Sequence, residues 1–154
     1  MSAPHEKYRR LIAAAKALPP VTTAVAHPCD ESSLSAAVDA AKATPCEPIL
    51  VGPQAKIAAV ARQLQLDISP YELVDAPHSH AAAAKAVEVV RAGRAEALIK
   101  GSLHTEELMA EVVKKDTGLR TARRISHCFV LDVPTYPDAL IVSDAAVNIN
   151  GEKP

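Results

Sequence analysis

The sequence predicts an α/β domain: a mostly parallel sheet with helices on both faces, followed by a C-terminal antiparallel hairpin. Three observations lead there. Apolar residues recur at helical spacing in separate windows along the chain, and short β-rich apolar runs bounded by Pro or Gly lie between those windows. Near the end, two apolar runs stand too close together for a helical crossover and must pair antiparallel. Strands that alternate with helices build a parallel sheet, because each connection has to carry the chain back across the sheet before the next strand begins.

The first helix is read from Leu11, Ala14, Ala15 and Leu18, an i, i+3, i+4, i+7 stripe that Pro19-Pro20 ends. Residues 21–26 then form a strand. Leu34, Ala37, Val38 and Ala41 mark the second helix, and 49–51 the second strand. Ile57, Val60, Ala61 and Leu64 mark the third helix, 73–74 the third strand, and Ala83, Ala86, Val87 and Val90 the fourth helix. Residues 97–99 make a fourth strand, and Leu108, Met109 and Val112 a fifth helix. These strands are expected to be buried on both faces, as in a parallel sheet covered by helices. Residues 128–133 and 140–142 form the hairpin, joined by Pro134-Thr135-Tyr136-Pro137-Asp138. Antiparallel pairing sets the residues before the first hairpin strand beside those after the second. Arg123, Arg124, Ser126 and His127 are thus expected near Ser143, Asp144 and Asn148.

With 154 residues, 49% of them hydrophobic and 23% charged, the chain excludes wholesale disorder and is expected to fold as one α/β domain over 1–149 with a frayed tail at 150–154. A chain of this length buries roughly 70% of the surface its unfolded form exposes. Lys and Arg number 17 against 18 Asp and Glu, so no nucleic-acid footprint is expected. Aromatics at 3%, with no Trp, argue against base-stacking platforms. No window approaches ~18 consecutive apolar residues and the start lacks the order of a signal peptide, so a cytoplasmic protein without a membrane partner is expected. Cys29, Cys46 and Cys128 are widely spaced, which favours reduced structural thiols over a disulfide framework or a zinc site.

Ligands of open parallel sheets bind beyond the carboxyl ends of the strands. The residues there are His27-Pro28-Cys29-Asp30, Gly52-Pro53, Asp75 with His78 and His80, Lys100-Gly101-Ser102-Leu103-His104-Thr105, and Ser143-Asp144. The turn at 100–105 is expected to offer backbone N–H groups to an anion at a helix start. Set against that, Glu106 and Glu107 occupy the same first turn and repel a phosphate unless they point away. The plain structural alternative has Thr105 as the helix N-cap and Gly101 as a tight turn. His78 and His80 lack a third ligand, so no metal is expected. Cys29 is read as structural, since Asp30 and Glu31 oppose a reactive thiolate.

The second constellation runs from Asp116 to His127 and holds Arg120, Arg123 and Arg124. Arginine suits bidentate contact with phosphate. The bland alternative is a solvated loop in which Asp116 and Asp144 neutralise the arginines.

At Lys100-Gly101-Ser102-Leu103-His104-Thr105, Gly118-Leu119-Arg120-Thr121-Ala122-Arg123-Arg124-Ile125-Ser126-His127 and Asp144-Ala145-Ala146-Val147-Asn148-Ile149, the sequence resembles the phosphate acetyltransferase/phosphate butyryltransferase family. The motifs stand in the family's order and spacing, and the resemblance covers the chain to about Ile149 as an N-terminal half. It looks closest to the butyryltransferase-like branch, including acyltransferase portions fused to an enoyl-CoA hydratase-type domain. The resemblance implies a two-lobed fold like that of isocitrate and isopropylmalate dehydrogenases and the exchange of acyl-CoA plus phosphate for acyl phosphate plus CoA. CoA is then a substrate, no metal or nicotinamide cofactor is needed, and a homo-oligomer is expected.

Carried over residue by residue, the resemblance implies that Gly101, His104 and Thr105 line the cleft, with Arg120, Ser126 and His127 from the second motif and Asp144 and Asn148 from the third. Arg120 and Arg123 are expected on phosphate groups, Ser126 and Thr105 on phosphoryl oxygens, and Asp144 with Asn148 in the cleft wall. The family's acid-base residues belong to the half that this sequence lacks, so the chain alone is expected to be inactive. Two other readings stand beside this one: a non-catalytic CoA- or nucleotide-binding module, and an inert fragment that self-associates through an apolar surface.

Overall fold

The computed structural model describes residues 5–144. They fall into two compact units, Leu18–Arg120 and a second made of the described parts of Met1–Ala17 and Thr121–Pro154.

In the larger unit, strands β1 (Val21–Ala26), β2 (Cys46–Gly52), β3 (Glu72–Asp75) and β4 (Ala97–Lys100) form a parallel sheet in the order β3-β2-β1-β4. Helices α2 (Glu31–Ala43), α3 (Gln54–Gln63), α4 (Ser79–Arg91) and α5 (Thr105–Val112) connect or follow them, α1 being the helix of the smaller unit. Successive side chains of a strand point to opposite faces, and the core divides on that rule. Ala24, Ala26, Ile49 and Val51 pack with Ala83, Ala86 and Val89 of α4 and Leu108 of α5. Val25 and Leu50 face the other way, onto Leu34 and Ala37 of α2 and Ile57 and Ala61 of α3. The expected parallel sheet with helices on both faces is what forms.

Local chemistry sets the helix starts. Asp30 caps α2 by accepting the Ser33 N–H at 2.8 Å, and the His78 ring caps α4 by accepting the Ala81 N–H through Nδ1 at 3.2 Å. Gly93, at φ 73°, follows the end of α4 in a backbone region that favours glycine.

Two expectations for this unit change. β2 starts at Cys46 and not at residue 49, with Cys46, Glu47 and Pro48 in register with Val21, Thr22 and Thr23. Pro48 fits because β3 joins β2 only from Ile49, so that stretch is locally an edge. Burial on both faces holds for β1 and β2 but not for β3 and β4, the outer strands of the sheet; Ile99 on β4 is 42% exposed.

The smaller unit holds α1 (Glu6–Lys16) and the antiparallel pair β5 (Cys128–Leu131) and β6 (Leu140–Ser143). The hairpin connection is 132–139, longer than expected, because Asp132 and Val133 leave the ladder to bind Lys7. The Lys7 ammonium donates to the carbonyls of Val133 and Tyr136, both at 2.6 Å, and meets the Asp132 carboxylate at 3.2 Å. Phe129, Val130 and Ile141 on the two strands are exposed. No helix among the described residues is long and apolar enough to cross a membrane.

Candidate functional site

The chain steps from β1 to β2 to β3 in one direction, and β4 then takes the other side of β1. The helices of the two halves cover opposite faces, so a crevice opens where the direction reverses, at the carboxyl ends of β1 and β4. There lies a groove of about 440 Å³ lined by Asp30, Ser32, Ser33, Lys100, Ser102 and His104. A second depression, about 480 Å³, sits at the opposite strand ends around Glu47, Glu72 and Arg94, away from the reversal.

The floor of the groove is a tight junction. A Cβ on Gly101 would stand 2.5 Å from the Ala26 carbonyl oxygen and 2.6 Å from that of His27, so only glycine lets the two strand ends meet. Gly101 N–H donates to Ala26 O at 2.8 Å and Ser102 N–H to His27 O at 2.9 Å. The Ser102 hydroxyl donates to His27 O at 2.8 Å, accepts from Cys29 N–H at 3.2 Å, and lies 3.0 Å from His27 Nδ1. With the hydroxyl proton committed to His27 O, the proton of the 3.0 Å contact is assigned to Nδ1. Burial, then the charge of Lys56, lowers the His27 pKa, while Glu107 and Asp30 oppose this. Cys29 is buried and its thiol pKa is raised, chiefly by that burial, in keeping with a structural role.

Three of the amides expected to face an anion at 100–105 have partners within the protein. The N–H groups of Gly101 and Ser102 go to β1 and its end, and that of His104 goes to the Glu107 carboxylate at 2.8 Å. Thr105 is not the N-cap: His104 holds that position and Thr105 is the first residue of α5. Glu107 keeps its negative charge, and its carboxylate is engaged by the His104 amide and by α4. Its carboxylate, 13% exposed, accepts from Ser79 Oγ at 2.8 Å and pairs with His80 Nε2 at 3.0 Å, both on α4. These bonds, that from the His104 amide first, lower its pKa. The groove also offers side-chain chemistry to an anion: the Lys100 ammonium, which reaches Leu103 O at 2.9 Å, and the Ser32 hydroxyl, while the Ser33 hydroxyl donates to Asp30.

The expected site residues divide between the units. Gly101, His104, Thr105 and an exposed Arg120 belong to the larger; Arg123, Ser126, His127 and Asp144 belong to the smaller; Asn148 lies outside the described residues. Within the smaller unit the hairpin does bring His127 to Asp144. Asp144 N–H donates to His127 O at 2.7 Å, and His127 N–H to Asp144 Oδ1 at 3.3 Å. The His127 ring stands edge-on to Phe129 at 4.1 Å, with Nδ1 buried and without a partner among the described residues. Among the described residues no group of three or more His, Cys, Asp or Glu is placed to hold a metal. His27, Lys100 and Ser102, all among the strand-end residues read from the sequence, come together at the strand reversal; that they meet depends on strand order, which hydrophobic periodicity does not carry.

The chain is 61% identical over 143 residues to a Rhizobium meliloti protein named phosphate acetyltransferase, a match covering 93% of this chain and 45% of that one. It is 50% identical over 139 residues to the phosphate acetyltransferase of Rickettsia prowazekii, covering 90% and 40%. To the phosphate butyryltransferase of Clostridium beijerinckii it is 34% identical over 143 residues, covering 93% and 47%. Identity is thus higher to these acetyltransferases than to this butyryltransferase, and the chain spans less than half the length of each. A solved phosphotransacetylase from Streptococcus pyogenes superposes with a TM-score of 0.77 at 13% identity, covering 97% of this chain and 54% of that one. A branched-chain phosphotransacylase from Enterococcus faecalis gives 0.65 at 23% identity, covering 84% and 44%. No family model matches the chain.

Proposed function

We propose that the chain, a homologue of part of curated phosphate acetyltransferases and phosphate butyryltransferases, supplies one portion of a phosphate acyltransferase. The reaction is acyl-CoA plus orthophosphate to acyl phosphate plus CoA. A phosphate oxygen attacks the thioester carbonyl, the C–S bond breaks, and the CoA thiolate leaves and takes up a proton. The observation that carries this reading is 61% identity over 93% of the chain.

In this reading the groove at the strand reversal takes a phosphoryl group of CoA or of acyl phosphate. Within the larger unit Lys100 and Arg120 supply positive charge, Thr105 donates to a phosphoryl oxygen, and Gly101 and His104 line the groove. In the smaller unit, taken by itself, Arg123 and Ser126 suit contact with phosphate, and His127 stands with Asp144. Acid-base residues come from the part of the relatives' length that this chain does not span. The full-length polypeptide has the two-lobed fold of isocitrate and isopropylmalate dehydrogenases, and works in the cytoplasm as a homo-oligomer without metal or organic cofactor.

The test is thiol release from acetyl-CoA and butyryl-CoA in the presence of phosphate. The full-length polypeptide turns over at least one of them, and the 154-residue chain binds CoA without turnover. No turnover from the full-length polypeptide overturns the proposal. Coverage of only 45% of the Rhizobium meliloti relative favours a second reading, a CoA- or nucleotide-binding module. Calorimetry that finds CoA binding lost on Arg120→Ala, with no turnover in any longer form, supports it.

A further inference from the structure

At the strand reversal, one serine hydroxyl ties β1 to β4. Ser102 Oγ meets His27 Nδ1 at 3.0 Å, His27 O at 2.8 Å and Cys29 N at 3.2 Å, so a side chain after β4 contacts three groups after β1. His27 is built for the place. Its backbone lies at φ 56°, a left-handed conformation rare for residues other than glycine and several-fold enriched in Asn, Asp and His. That conformation folds the chain back so that Cys29 N–H reaches His27 O at 2.9 Å. The residue is 8% exposed, buried below the groove, and is not among the groove's lining residues.

We propose that His27 is a positioning residue: through Ser102 it fixes the turn that carries Lys100 and His104 to the groove, and so sets affinity for a phosphoryl ligand it does not touch. Both residues lie within two positions of Ser102. The Lys100 ammonium bonds the carbonyls of Leu103 and Gly101 in the same turn, so a shift of Ser102 moves the charge that faces the ligand. Two backbone bonds still hold the turn to β1 and its end without the side-chain link, so the expected effect is partial. Losing one such hydrogen bond corresponds to roughly three- to tenfold.

The ligand part of this proposal rests on the phosphoryl-binding reading of the groove; the turn-fixing part does not. The test uses the full-length polypeptide with His27→Ala, Ser102→Ala, the double substitution and His27→Asn. Asparagine keeps the left-handed preference and offers a side-chain N–H to Ser102. Each alanine substitution raises KM for phosphate or acyl-CoA about three- to tenfold with kcat within about twofold. The double substitution is no worse than either single one, and His27→Asn restores KM to within about twofold of the parent. Without any ligand, amide exchange at Gly101 and Ser102 quickens in His27→Ala and returns toward the parent in His27→Asn. Unchanged exchange in His27→Ala overturns the proposal. Multiplying effects in the double substitution overturn it too, as does a fall in kcat alone with a moved pH profile, the mark of direct proton transfer. If His27→Ala does not fold, Ser102→Ala and His27→Asn carry the same comparison. If the parent shows neither turnover nor CoA affinity, the phosphoryl reading fails while the exchange comparison still judges the role of His27.

Discussion

Asp144 closes the open end of the hairpin onto His127: its N–H donates to His127 O at 2.7 Å while its Oδ1 accepts the His127 N–H at 3.3 Å. The side chain stands where the next ladder carbonyl would be, because at φ 57° the Asp144 backbone has left the extended region. Replacing Asp144 by Ala removes that acceptor and places a residue with no left-handed preference there. The expected loss is about 1 kcal/mol of local stability, seen as faster amide exchange at His127. Asp144→Asn keeps a side-chain acceptor and a tolerated backbone, so its exchange stays near the parent's. Equal exchange in the parent and the alanine form contradicts the closure.

Gly101 is where two backbones meet, and any Cβ there falls within 2.6 Å of carbonyl oxygens that cannot swing aside. Gly101→Ala is expected to lower stability by about 1–3 kcal/mol, as overpacking does, read as a lower melting temperature. A melting temperature within a degree of the parent's contradicts this close approach.

The centre and the edge of the sheet make a paired test. Leu50 is fully buried against α2 and α3, and Leu50→Ala is expected to cost about 2–5 kcal/mol in denaturant unfolding. Ile99, two strands away and 42% exposed on the edge strand β4, is expected to cost under about 1 kcal/mol when changed to Ala. Equal costs contradict the assignment of β4 as an edge.

Acid should loosen the strand reversal by a known sign. His27 has a lowered pKa, so the unfolded chain binds its proton first. Its contribution is complete above about 6.5 and is lost as pH falls through that value toward the lowered native one. Asp30 and Glu107 also have lowered pKa values, held down by Ser33 and by the His104 amide respectively. Their contribution is present above the ordinary carboxylate range and is lost as pH falls through the native value. Melting temperature is expected to decline from pH 7 to 5 and again below 4, with the upper decline reduced in His27→Asn. A flat profile between pH 7 and 5, or the same decline in that variant, contradicts the assignment.

How much of this was legible in the sequence depends on the kind of information each feature needs. Helices declare themselves through periodicity, as Leu34, Ala37 and Val38 did for α2, because burial of one face repeats every turn. The meeting of His127 and Asp144 was legible because antiparallel pairing is local. Strand order was not: nothing near residues 97–100 says that β4 joins β1 and not β3, so the junction of His27 with Ser102 stayed hidden. The fate of the amides at 100–105 was hidden for the same reason, since Ala26 and His27 take two of them from more than seventy positions away. Lys7 and the longer hairpin connection show the same limit, a lysine on the first helix drawing Asp132 and Val133 out of the ladder.

As proposed above, this chain would supply part of an enzyme that moves an acyl group between CoA and phosphate. The most direct measurement is release of free CoA from acetyl-CoA by the full-length polypeptide, with and without inorganic phosphate. Release that requires phosphate and is matched by acyl phosphate, mole for mole, is the expected result. Release that proceeds equally without phosphate, or no release with any short acyl-CoA, contradicts the account.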